Sequence, residues 1–353
     1  MLRTLRQRVT VADVAVWFIG IVIGFVVIYG SIKTLQAGKY DTRVWIDLII
    51  TGLALGGVYA LIALGYTLVY GILRMINFAH SEIFMSGPFT AVFLAIGLFN
   101  LGFWNAHPLI SIFLVAIFSA LVSGTIAVLL ERIAYRPLRK APRLVPLITA
   151  IGASFFLQYT FRGFFGSGLK AYPELDILKG SWQIGSITVL KTSLVVIVSA
   201  FIMMIILYGF VQLTKLGKAM RAVSEDKETA SLMGIDVDNV ISMTFAVGGA
   251  SAGLGGILYI LLFPVVHFFM GFIPGIKAFT AAVLGGIGNV PGAFLGAMIL
   301  GILESVGPFL FLDGMGIPAP GQLKDAIAFI ILVFILIIRP SGILGEKITK
   351  AKA

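Results

Sequence analysis

Cysteine is absent from this chain of 353 residues. That excludes disulfides, thiolate metal sites and cysteine nucleophiles. Charge is scarce as well: 12% of residues are Asp, Glu, Lys or Arg, against 59% hydrophobic, where a soluble domain carries about 25% charged residues. So few charges cannot coat a globule, and much of the surface must face lipid. The three histidines, His80, His107 and His267, are scattered, and no H-E-x-x-H or G-x-S-x-G occurs, so neither a metal site nor an intramembrane enzyme is expected. The phosphate loop G-x-x-x-x-G-K-[ST] is missing too, because Gly217-Lys218 is followed by Ala219. The chain should not hydrolyse ATP by itself.

What is present is a succession of long apolar runs. A bilayer core of about 30 Å takes about 20 apolar residues per helix, and a barrel would show short alternating segments instead. The expectation is an all-α, polytopic transmembrane helical bundle. About ten spans (8–10) fall near 13–32, 44–72, 82–98, 109–132, 144–165, 191–213, 242–262, 269–288, 291–312 and 323–338. An even number puts both termini on one side. The basic head MLRTLRQR and its apolar run read as a retained first helix rather than a signal peptide, since the run is long and no clear A-x-A site follows. Loops assigned inside hold 17 of the 26 Lys and Arg residues and loops assigned outside hold 7. That bias makes both termini cytoplasmic and accounts for the net charge of +10 without any nucleic-acid partner. The chain divides into 1–43 (basic head, first helix and outer loop), 44–345 (the bundle proper, with a polar loop at 215–241) and a basic tail at 346–353. The outer loop 166–190 is expected to form a cap or short hairpin. Two segments, 71–87 and 265–292, mix Gly, Pro and polar groups with apolar ones, the pattern of a broken helix or a re-entrant loop.

The polar stretch GKAMRAVSEDKETASLMGID, Gly217 to Asp236, must lie in water. Ser224 is suited to cap a short helix with Glu225 and Asp226 in its first turn, and Gly234 sits where a left-handed C-terminal cap belongs. About nine helical residues lie between, with Ala230, Met233 and Ile235 as a small apolar surface. Physics alone favours a solvated connector over a docking helix.

The residues Glu228-Thr229-Ala230-Ser231-Leu232-Met233-Gly234 resemble the cytoplasmic coupling motif E-A-A-x-x-x-G of ABC importer permeases, with Thr229 in place of the middle alanine and no I-x-L-P further on. The run from Gly52 to Gly71 leading into Met75-Ile76-Asn77-Phe78-Ala79-His80, the run from Lys277 to Ala293, and the run from Arg339 to Gly345 are similar to the permease subunits of branched-chain amino acid ABC transporters, the H-type most closely. The resemblance spans about Trp45 to Gly345, and the first helix looks like an addition. It implies a multi-pass protein of the prokaryotic cytoplasmic membrane that binds no cofactor of its own. Its partners would be two cytoplasmic ATPase subunits that use ATP, a second permease chain that is related but not identical, and an external substrate-binding protein. Glu228, Ala230 and Gly234 would belong to the helix that docks in the ATPase groove.

The same frame gives Asn77, Phe78 and His80 a structural or gating role, against plain interfacial capping by Asn77 or Ser81. Gly285, Gly286, Gly288 and Asn289 either line the pathway or form a cytoplasmic gate, against the plainer reading of a tight packing turn. Tyr59, Tyr66 and Thr67 offer hydroxyls on a helix otherwise smooth with small residues, which would suit an apolar zwitterion, although core tyrosines are commoner. Glu304 is read as an interfacial anchor or a partner of Lys324, and Lys277 and Arg162 as snorkelling cations. Urea or short amides are the alternative cargo. A self-sufficient secondary transporter or channel is the rival mechanism, and it lacks an evident charge pair by spacing.

Overall fold

The computed structural model describes residues 11–139, 141–142, 144–185, 187–339 and 341–345; the basic head and tail expected at the two ends lie outside the described residues. Thirteen α-helices follow in order among these residues: α1 Val11–Ala37, α2 Thr42–Leu73, α3 His80–Asn100, α4 Phe103–Ala106, α5 Pro108–Leu130, α6 Leu144–Phe165, α7 Lys191–Leu213, α8 Lys215–Glu225, α9 Lys227–Leu232, α10 Val237–Leu262, α11 Phe272–Gly285, α12 Val290–Gly307 and α13 Lys324–Ile338. Among the described residues, nine helical segments are long and apolar enough to cross a membrane. The tenth expected span is α11, whose 14 residues rise only about 21 Å. It is a part-length helix, as the Gly- and Pro-mixed composition of its flanks suggests.

α2 is the axis of the bundle. Its residues from Ala54 to Val69 are buried almost without a break, and α7, α10, α11 and α12 surround it. Lipid is as apolar as a leucine side chain, so helices associate here through close packing and interhelical hydrogen bonds rather than through the hydrophobic effect. The α2–α12 seam shows how: a Cβ on Gly301 would run into the Gly52 carbonyl and the Gly56 backbone. Serines stitch other seams. Ser119 of α5 donates to the Gly253 carbonyl of α10 at 2.7 Å, and Ser123 donates to the Ile83 carbonyl of α3 at 2.7 Å.

At the end of the bundle away from α8 and α9, the loop before α7 forms the expected hairpin. Strands β2 (Ser181–Ile184) and β3 (Ile187–Leu190) pair antiparallel, while β1 (Lys170–Ala171) pairs with β4 (Val265–Val266). The cap is fastened to the bundle by Tyr172, which donates to the Pro88 carbonyl at 2.5 Å. Pro88 lies inside α3. α1 packs against the irregular turns at 308–315, with Gly30 against the Phe311 backbone and Gly314 against Gly30 and Thr34.

Candidate functional site

The polar stretch folds as two helices, not one. Thr214 caps α8, accepting from the Gly217 amide at 3.0 Å. α9 is six residues long. Its cap is Asp226 rather than Ser224: Asp226 accepts from the amides of Glu228 and Thr229 at 2.9 and 3.1 Å, while the Ser224 hydroxyl donates back to the Arg221 carbonyl inside α8. The other end is as expected. Gly234 has φ +83; its amide bonds the Ser231 carbonyl and the Ile235 amide bonds the Ala230 carbonyl, the paired bonds of a Schellman cap. Ala230 is buried against the bundle, so the apolar surface offered to solvent is Leu232 and Met233, at 88% and 79% exposed. Glu228 is exposed beside them.

Behind α9 stands an ion cluster that the sequence reading missed. α5 ends in a π-helical turn, Glu131–Tyr135. There the fully buried Glu131 carboxylate pairs with Arg136 at 3.3 Å and with Arg139. Arg139 also pairs with Asp238 in the first turn of α10, and Ser242, one turn on, donates to Glu131 at 2.7 Å. The carboxylate at the end of an apolar run, with Arg136 and Arg139 just after it, was the available signal. Burial, with Arg139 and Arg74 nearby, holds the Lys227 ammonium of α9 below its ordinary value. Because α10 begins directly after the Gly234 cap, this cluster ties the base of α9 to α5.

The segment 75–82 does not act as one polar group. Asn77, His80 and Glu82 are all buried, but each faces a different neighbour. Asn77 accepts from the Tyr135 hydroxyl at 2.6 Å. His80 packs on the Tyr66 ring with centroids 4.7 Å apart. Glu82 turns toward α6. Neither side chain proposed as a cap for α3 does so; its cap position is Ala79. Phe78 packs near Phe279 of α11, ring centroids 6.1 Å apart. Tyr66 and Thr67 are enclosed within the bundle.

Gly285 to Asn289 is a tight turn that receives the C-terminal segment. The amides of Ile343 and Leu344 bond the carbonyls of Leu284 and Gly285 at 2.8 and 2.9 Å. Gly286 has φ +109, and a Cβ there would meet the Gly345 and Leu344 backbone. Gly288 has φ +99. Asn289 caps α12 by accepting from the Gly292 amide at 2.9 Å, and its side-chain amide donates to the Leu344 carbonyl at 3.0 Å.

The largest departure concerns charge inside the bundle. Lys277 does not snorkel and Glu304 does not pair with Lys324. Instead, the Lys277 ammonium on α11 lies 2.6 Å from Glu304 on α12 and 2.6 Å from Asp325 in the first turn of α13. Tyr59 of α2 donates to Glu304 at 3.3 Å. Sequence spacing of 27 and 48 residues hides such a set, so the absence of an evident charge pair was no ground against an ion-driven mechanism. Arg162 is exposed and lies over the rings of Tyr159 and Phe268.

Against known proteins, residues 48–336 match the family model described as a branched-chain amino acid transport system / permease component. The chain belongs to this permease family. Over 307 residues the permease is 41% identical to the high-affinity branched-chain amino acid transport system permease protein BraD of Pseudomonas aeruginosa, covering 86% of this chain and 96% of that protein. It is 39% identical over 300 residues to LivH of Escherichia coli K12, a permease protein of the same kind of system, covering 84% and 94%. It is thus a multi-pass inner-membrane permease of the ABC type, and the matched part begins after α1.

Proposed function

We propose that this chain is the membrane-spanning subunit of an ATP-driven importer for branched-chain or similarly apolar amino acids. The reading rests on family membership joined to one observation: a short helix, capped at both ends, that presents Leu232 and Met233 to solvent at the end of the longest polar stretch. A lone connector has no need of two exposed apolar side chains on a helix held at both termini. An apolar knob on a rigid short helix suits a groove on a partner.

In this reading α8 and α9 face the cytoplasm, as do both termini, and two ATPase subunits receive α9. Glu228 lies on the contact surface, Ala230 seats the helix on the bundle, and Gly234 sets its exit angle. When the ATPases close on ATP they push α9. The Glu131–Arg139–Asp238 cluster passes the push to α5 and α10, and a rearrangement of packed helices exposes the pathway alternately to each side. A second, related permease chain completes the pathway, and an external substrate-binding protein delivers cargo at the hairpin end. No covalent chemistry is assigned to this chain; ATP is bound and hydrolysed by the partners.

The test is reconstitution. In liposomes the chain alone neither hydrolyses ATP nor accumulates leucine; with its ATPases, partner permease and binding protein it accumulates leucine only when ATP is supplied. Robust ATP hydrolysis by the lone chain, or uptake driven by a proton or sodium gradient without ATPases, overturns the reading. Accumulation of urea or short amides in place of leucine overturns the substrate class alone.

A further inference from the structure

Glu82, in the first turn of α3, is a carboxyl group with no solvent exposure inside the helical bundle, and no ion pair reaches it among the described residues. Two donors of α6 converge on one of its oxygens, the Ser154 hydroxyl at 3.2 Å and the Gln158 amide at 2.7 Å; the Ser81 hydroxyl lies 3.3 Å from the same oxygen but has the Phe78 carbonyl at 2.8 Å as its nearer acceptor. The other oxygen, Oε2, is buried and has no partner. Burying a carboxyl this way is costly, and an apolar residue of similar size would pack α3 without that cost. The group must therefore serve something beyond packing.

What it holds is α6. Five residues of this helix are buried, Pro146, Ala150, Ser154, Gln158 and Phe161, a single stripe of nearly fourfold spacing. The opposite face is exposed, with Phe155, Phe156 and Tyr159 at half or more, and the flanks, such as Ala153, Leu157 and Phe165, are half-buried. α6 meets the bundle chiefly at α3 and the π-helical turn that carries Glu131. Its last turn contains Gly163, and Gly166 beyond it has φ +83. Whereas α2, α10 and α12 are locked by backbone-to-backbone glycine contacts, α6 is held at mid-length by two hydrogen bonds to one oxygen. Beyond that point aromatic packing continues, Phe89 of α3 meeting Phe161 with ring centroids 5.6 Å apart and Phe165 at 5.5 Å.

We propose that Glu82 is the pivot of α6: a positioning residue whose acceptor oxygen pins α6 at its midpoint, so that the ends of the helix swing during transport while its centre keeps register with α3. What α6 needs from Glu82 is an acceptor, since the donors on α6 are neutral and no cation pairs with the carboxyl among the described residues. The proposal rests on the permease reading above, but its structural half stands apart from transport and is measured separately.

The experiment uses the assembled transporter in liposomes with E82Q, E82L and the double variant S154A/Q158L. Spin labels on the exposed faces of α3 and α6 report the distance between the two helices. Loss of the two interhelical bonds lowers the docked population of α6 about tenfold. E82L and S154A/Q158L are therefore expected to broaden and lengthen the α3–α6 distance and to cut leucine uptake about tenfold while the complex still assembles. E82Q, which keeps a carbonyl acceptor in place, is expected to restore both the distance and most of the uptake. An unchanged distance in E82L overturns the pivot, and E82Q as impaired as E82L overturns the claim that the acceptor, not the charge, matters. If E82L fails to assemble, S154A/Q158L carries the same decision, because it leaves α3 untouched. A wild-type complex that fails to take up leucine counts against the importer reading and leaves the distance comparison standing.

Discussion

Replacing Lys277 by methionine is the sharpest perturbation of the fold. The Lys277 and Glu304 side chains are 4% and 1% exposed, so truncating the ammonium strands the Glu304 carboxylate with only the Tyr59 hydroxyl at 3.3 Å. Removing one partner of a buried pair costs about 3–5 kcal/mol, most of it the penalty of an uncompensated buried charge. Asp325, whose side chain is 44% exposed, reaches water and contributes little to that sum. The same logic gives an order. Glu304→Gln leaves Lys277 with Asp325 and costs less than Lys277→Met. The double variant Lys277→Met/Glu304→Gln removes the stranded charge, keeps an acceptor for Tyr59 and regains most of the loss. Denaturation of the detergent-solubilised chain, followed as the fraction remaining monodisperse after heating, reads the order directly, and the double-mutant cycle isolates the pair. A Lys277→Met protein that melts with the wild type, or a double variant less stable than Lys277→Met alone, refutes the argument.

Three further outcomes are expected. Gly234→Val forces a β-branched residue into φ +83, which costs at least about 1–2 kcal/mol; since nothing lies near its Cβ, membrane insertion persists while ATP-driven leucine uptake falls several-fold, and full uptake counts against a docking role. At the ion cluster the asymmetry is predicted from exposure. Arg136→Gln/Arg139→Gln strands the fully buried Glu131 and costs about 3–5 kcal/mol, whereas Glu131→Gln leaves arginines that already reach water and costs less; equal melting of the two variants would contradict this. Gly286→Val opens the turn that holds the C-terminal segment, and hydrogen exchange at the Ile343 and Leu344 amides, bonded to Leu284 and Gly285, accelerates relative to wild type.

Much of the fold was legible because a membrane imposes long runs that single residues cannot disguise. The cap at Gly234 was legible for a related reason: a left-handed residue after a helix has a strong chemical preference, and glycine meets it. The other end of α9 was misread because Ser224 and Asp226 are both good caps two residues apart. The choice fell to Asp226 once α8 extended to Glu225, which no local preference in a charged stretch decides. The buried charges stayed hidden because their partners lie on other helices. Lys277 finds Glu304 and Asp325 only when α11, α12 and α13 are assembled, and Glu82 finds Gln158 76 residues away. α11 was flagged by composition, yet its length was not, since its glycines permit either a continuous span or a break.

The packing of α1 against the turns at 308–315 bears on how the protein is made. Gly30 meets Phe311, and Lys39 bonds Asp313 at 2.8 Å across 274 residues of chain. At about 5–20 residues per second, the partner surface leaves the ribosome roughly 15–60 s after α1 has entered the bilayer. For that interval Gly30 and Thr34 lie against lipid or the insertion machinery, and α1 is a lone helix awaiting its seat. Shortening the wait by fusing α1 after α13, or slowing translation between residues 40 and 300, should alter the yield of assembled protein without touching any contact of the finished bundle.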